Sequence, residues 1–151
     1  MATTTDVAQR NKATAEKFID AYNSLGWSGE DDATRRFLAV LTKDAEIDFP
    51  AAGIKQTPHM EVSASTGVAL FSKRHMEVRK LIASDEAVVF EMVWTAISGG
   101  GPGLAPAGEQ IKMENCVVLS FRDGLISRYV EYVGVHEGIE LDVVASRLTG
   151  D

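Results

Sequence analysis

Residues 114–133, ENCVVLSFRDGLISRYVEYV, decide the fold. Asp123-Gly124 is a hairpin-turn dipeptide, because glycine accepts the positive φ that a tight reversal demands. The flanking runs are rich in Val, Leu, Ile, Phe and Tyr, residues that suit a pleated, half-buried surface. The stretch therefore reads as two antiparallel strands. Successive side chains alternate between faces, which turns Asn115 of the first strand and Glu131 of the second inward. A polar pair, Asn115 and Glu131, aimed into apolar surroundings is where chemistry is expected.

Working outward, Gln110 to Arg122 and Leu125 to Val133 bound this hairpin, and two further strands precede it, Arg74 to Ser84 and Glu86 to Ser98, turning near Ser84-Asp85-Glu86. Between Ser98 and Gln110 lies GGGPGLAPAG, residues 99–108. It is expected to be a flexible loop, too poor in side chains to pack. Without a Lys-Ser/Thr ending and a following helix, it does not read as a phosphate cradle.

The N-terminal half is helical. Residues 1–6 read as a disordered tail. Ala15, Phe18, Ile19, Tyr22 and Leu25 then form one stripe of a helix over Val7 to Leu25, ended by Gly26. Acids in Ser28 to Asp32 cap a second helix, with Phe37, Val40 and Leu41 on its apolar side. Ala45 to Phe49 is a short strand stopped at Pro50. Thr57-Pro58 opens a third helix running to about Ser72, with threonine as cap and proline in the first turn. In the C-terminal segment, residues 136–151, Ile139 to Leu148 predicts a last short helix. No internal repeat or linker interrupts residues 1–151, so one domain is expected. Helices followed by a meander of strands give an α+β fold: a cone-shaped, curved antiparallel sheet wrapped over three N-terminal helices, with a cavity at its mouth.

Composition narrows the function. The 151 residues are 45% hydrophobic and 25% charged, ordinary for a globular chain. A net charge of −7 argues against nucleic acid or an anionic membrane as partner. No run reaches the ~18 apolar residues of a membrane span. The first residues, MATTTDVAQRNK, lack the apolar core of a secretory signal. A lone cysteine, Cys116, excludes an internal disulfide and suits the cytoplasm. No His, Cys or acid pair has metal-ligand spacing, so neither metal nor cofactor is expected.

FIDAYN in the first helix, LTKDAEIDFP at the first strand and VVLSFRDGLISRYVEYV at the end resemble the SnoaL-like branch of the nuclear transport factor 2 superfamily. That group also holds ketosteroid isomerase and limonene epoxide hydrolase, and the resemblance runs over roughly Val7 to Val135. It implies the cone-shaped α+β barrel, but it does not carry a reaction. Where ketosteroid isomerase has its tyrosine donor, this chain has Phe18; its aspartate base falls on Phe49, or on Asp48 after a slip of one residue, and its neutral aspartic acid falls on Val117. Of the epoxide hydrolase machinery, the arginine and first aspartate fall on Met92 and Trp94, and the second aspartate falls on Glu131.

Alternation anchored on this resemblance turns Phe90, Met92, Trp94, Met113 and Val117 inward. Met76 joins them from the preceding strand, Phe71 from the third helix and Phe18 from the first. Such a wall favours a small hydrophobic molecule, although each of these residues can equally fill a core. Trp94, if buried, needs a partner for its indole N–H. Glu131 is the expected general acid–base, since a carboxyl group in apolar surroundings titrates nearer neutrality. The alternative is an acid neutralised by an arginine or by backbone donors. Asn115 can hold Glu131 or a substrate carbonyl, or be an ordinary satisfied amide, and Tyr129 can donate to a developing oxyanion. His59 lies near the expected mouth. These residues point to a cofactor-free isomerase, cyclase, dehydratase or hydrolase, or to a binding protein or interaction module with the same pocket. On the opposite face, Val89, Val93, Cys116, Val118, Val130 and Tyr132 make the sheet apolar on both sides. A homodimer through that convex face is therefore expected.

Overall fold

A computed structural model of the protein describes residues 3–25, 32–58 and 70–149. Two helices, α1 (Thr4–Ser24) and α2 (Asp32–Ala39), precede the strands β1 (Leu41–Phe49) and β2 (Ile54–Gln56), which a single 3-10 turn separates. The long strands β3 (Phe71–Ala83), β4 (Ala87–Ser98), β5 (Gln110–Arg122) and β6 (Leu125–Glu137) follow, and α3 (Leu141–Thr149) closes the described chain. The six strands form one sheet in the order β2-β1-β6-β5-β4-β3. This is the cone-shaped α+β fold expected from the sequence, with one pairing of a different kind: β1 runs parallel to β6, so the sheet is mixed.

The hairpin that anchored the sequence reading forms as expected. Asp123 and Gly124 both have positive φ, 53° and 81°, the signature of the turn whose twist matches the flanking strands. Across it Val117 faces Glu131 and Asn115 faces Val133, so the alternation holds. Irregularities interrupt the β1–β6, β3–β4 and β5–β6 ladders. Bulges of this kind raise the local twist and curl the sheet.

Polar side chains of α1 fasten the helix into the curl. Asn11, fully buried, donates to the carbonyls of Ser84 and Asp85 at 3.1 and 3.3 Å. Thr14 donates to the Gly124 carbonyl at 3.0 Å. Asn23 exchanges two hydrogen bonds with the backbone of Met76, at 3.0 and 2.7 Å. The helix thus touches both hairpin turns and β3, while Phe18 and Ala15 pack inward.

Four sequence expectations are corrected. Residues 3–6 are not a tail: Thr3 and Asp6 form a reciprocal capping box, which satisfies backbone donors that a helix otherwise leaves open. Leu41 belongs to β1, where it pairs with the distant Ile126, and not to the second helix. Phe71 and Ser72 lie in β3, paired with Ser98 and Ile97; the body of the expected third helix, His59 included, lies outside the described residues. The glycine-rich loop is packed. Ser98 Oγ accepts from the Gly100 N–H at 2.9 Å and donates to the Ala105 carbonyl at 2.6 Å, Leu104 bridges to Ile139, and Arg147 of α3 donates to the Gly100 and Pro102 carbonyls at 3.1 and 2.8 Å. Backbone groups hold this loop, which a reading based on side chains does not register.

One close approach is at Gly103. Its φ is +79°, and an added Cβ would lie 2.8 Å from Val143 Cβ. Gly103→Ala is expected to cost about 1–3 kcal/mol through backbone strain and overpacking. Thermal unfolding checks this; an unchanged midpoint would show that the loop yields.

Candidate active site

A cavity of about 130 Å³ opens in the concave face of the sheet. Phe18 and Tyr22 of α1, Phe37 of α2 and Ile47 of β1 line it together with Trp94, Met113, Tyr129 and Glu131. Aromatic contacts brace the wall: Phe18 sits 5.2 Å from Phe37 and 5.4 Å from Tyr129, and Phe71 meets Trp94 edge-on at 5.3 Å. The Trp94 indole donates to the Tyr22 hydroxyl at 2.7 Å. That hydroxyl is the partner a buried indole requires.

Glu131 is 5% exposed and reaches the cavity from β6. Its Oε1 accepts from the Tyr129 hydroxyl in a short hydrogen bond, and its Oε2 accepts from Asn115 Nδ2 at 2.6 Å. Tyr129 and Glu131 are two residues apart on one strand, so they share a face. Asn115 lies on the neighbouring strand, one pleat along from the Val117–Glu131 pair. Three residues legible from alternation are therefore joined by hydrogen bonds. Among the described residues, no arginine or backbone donor neutralises the acid. Burial pushes its carboxyl above the ordinary value of 4.5, and the bonds from Tyr129 and Asn115 only partly oppose that rise.

The trio can accommodate both protonation states. With Glu131 ionised, its two oxygens accept from Tyr129 and Asn115, as described. Asn115 Oδ1 is buried and has no hydrogen-bond partner among the described residues. A half-turn of the amide brings that oxygen round to accept from a protonated Glu131, so the acid can gain and lose a proton without stranding its own donor or acceptor.

Several expected wall residues do not reach the cavity. Phe90, Met92 and Val117 are 0–2% exposed and Met76 is 3% exposed, but none lines it. They belong to the packed core instead, because parity assigns a face but not a depth within the cone. Trp94, Met113 and Phe18 do line it, as does Phe71, which arrives from β3 and not from a helix. Asp48 is 4% exposed, does not line the cavity, and receives Arg128 Nη2 at 3.3 Å. Among the described residues no group of three His, Cys, Asp or Glu side chains is placed to hold a metal ion.

The sequence left open whether Ile139 to Leu148 caps the cavity or strengthens a dimer. Leu141, Val144, Ala145 and Leu148 of α3 line the cavity, and their spacing is that of one helical face. Arg147 points the other way, into the glycine-rich loop. The pattern was legible, but nothing local said whether it faced this cavity. Gln56 and Arg74 also line it. Arg74 follows an extra residue in β3: Ser72 faces Ile97 and His75 faces Thr95, with Lys73 at φ 51° between them. That inserted residue lets both Phe71 and Arg74 face inward, against simple alternation.

The model of the SnoaL-like domain matches residues 15–129. The chain belongs to the SnoaL-like family. No curated protein matches it. Solved structures do. A protein assigned as a SnoaL-like polyketide cyclase from Jannaschia Sp. CCS1 is similar at 15% identity over 100% of this chain and 99% of that one, with a TM-score of 0.68. A protein assigned as a polyketide cyclase from Xanthomonas campestris pv. campestris is similar at 19% identity over 85% and 93%, with a TM-score of 0.67. An epoxide hydrolase from M. tuberculosis, similar to limonene epoxide hydrolase, shares 15% identity over 88% and 83%, with a TM-score of 0.65. At these identities the likeness is one of fold, and the resemblance read from the sequence holds at that level. Family and fold together give the chain the framework of small-molecule-processing enzymes.

Proposed function

We propose that the protein is a cofactor-independent enzyme that moves a proton on a small hydrophobic molecule, in an isomerisation, cyclisation, dehydration or hydrolytic opening. The observation that supports this most is the Glu131 carboxyl, buried in an apolar cavity, raised in pKa and held only by Tyr129 and Asn115 among the described residues. A base with a raised pKa takes a proton near neutral pH and still returns it readily. In this mechanism Glu131 removes a proton from the substrate. As Glu131 takes up the proton, its carboxyl no longer holds the Tyr129 O–H, and that hydroxyl, which lines the cavity, turns to donate to the substrate oxygen on which charge develops. Asn115 orients the carboxyl, and Trp94 packs against the substrate body.

The test uses the molecules that co-purify with the protein, incubated with it in D₂O and followed by mass spectrometry. Expected is conversion, or deuterium entering a C–H position, with wild type and not with Glu131→Gln. Recovery of the same molecules unlabelled and unchanged would favour a binding protein with the same pocket.

A homodimer in the cytoplasm is part of the same proposal. On the convex face Tyr132 is 50% exposed, and Val89, Cys116 and Val118 are half-buried, which leaves apolar surface for a second copy. Val93 and Val130 are already covered within one chain, so the apolar area available is smaller than alternation implied.

A further inference from the structure

The cavity holds two polar features that proton transfer at Glu131 does not use. Arg74 lines it from β3, its guanidinium carbon 5.1 Å from the centroid of the Phe71 ring. Gln56 lines it from β2, and Gln56 Oε1 is buried with no hydrogen-bond partner among the described residues. Both strands are edges of the curled sheet. A guanidinium carries its N–H donors in one plane, the geometry that suits a planar oxyanion. The placement follows from the inserted Lys73 at φ 51°, since without that extra residue Phe71 and Arg74 would lie on opposite faces. A buried polar atom without a partner in a ligand cavity marks a place where a ligand group completes the hydrogen bonding.

We infer that the substrate is an organic acid: an apolar, ring-sized body seated against Trp94 and Phe18, with a carboxylate bound by Arg74 and hydrogen-bonded by the Gln56 amide. The inference rests on the cavity being the substrate site, as proposed above. Gln56 serves by turning its amide, since no bond through Oε1 resists the rotation that presents Nε2. The overall charge of −7 repels anions, so any preference for an acid has to be local.

The experiment measures binding of 1-naphthoate and of its uncharged methyl ester by calorimetry at pH 8, with circular dichroism to confirm folding of each variant. Expected is naphthoate binding at least about tenfold tighter than the ester, a preference abolished in Arg74→Gln and partly kept in Arg74→Lys. A side chain that acted only by packing would leave the two probes equally affected. Equal binding of acid and ester, binding of neither, or an acid preference that survives in Arg74→Gln overturns the inference. The wild-type D₂O experiment separates the two readings: if wild type prefers naphthoate but introduces no deuterium and converts nothing, the catalytic proposal fails and the organic-acid site stands.

Discussion

Glu131→Gln is expected to lower turnover by about 10²–10⁴-fold with the fold intact, the range a positioned acid–base group contributes. The substitution keeps the shape of the side chain and removes only its ability to carry a proton. One of the two hydrogen bonds is weakened, because an amide offers a donor where the carboxylate accepted from both Tyr129 and Asn115. The same variant has a signature in stability. Burial raises the pKa of Glu131 in the folded state above its ordinary 4.5. Between the unfolded and the folded pKa, the native state therefore binds more protons than the unfolded state, and stability falls as pH rises through that interval. Below it the acid is neutral in both states and the penalty vanishes. Wild type should thus lose stability relative to Glu131→Gln as pH climbs from about 4.5 toward neutrality. Denaturant titrations at several pH values read this directly, and parallel curves for the two proteins would mean that the carboxyl is not held in the environment described.

Phe90→Ala carries the largest expected cost in stability, about 3–5 kcal/mol, because the side chain is fully buried in the core and its loss leaves a cavity. Its partner in the comparison is Phe71→Ala. Phe71 is half-buried, lines the cavity and supports Arg74, so its truncation should weaken ligand binding far more than it lowers the unfolding midpoint. The sequence placed both residues in the cavity wall, Phe90 by strand alternation and Phe71 from the expected third helix. Chemical denaturation paired with naphthoate binding separates them, and a Phe90→Ala protein of unchanged stability would contradict the packing described.

The contrast shows which physical signals a sequence carries. The hairpin at Asp123-Gly124 was legible because its turn chemistry is local. The facing of Asn115, Tyr129 and Glu131 followed from the two-residue period of a strand. Depth did not follow: Phe90, Met92, Val117 and Met76 share a face with the cavity wall yet lie in filled core, which depends on what the helices place opposite them. The parallel pairing of β1 with β6 is a contact between segments about 80 residues apart, and no local pattern encodes it. Arg74 shares the parity of Met76 and Val78, so alternation already turns it inward; what no local pattern encodes is the residue inserted at Lys73, which brings Phe71 onto the same face. Without that shift of phase, Phe71 would face away from Arg74.

Helix α3 adds a further consequence. It walls the cavity with Leu141, Val144, Ala145 and Leu148 while taking no part in any strand ladder. Substitutions there can reshape the room available to a guest without disturbing the scaffold that aims Glu131. Selection, natural or in the laboratory, therefore has a module on which to tune substrate range separately from reactivity, and saturation of those positions is the natural starting library for redirecting this protein.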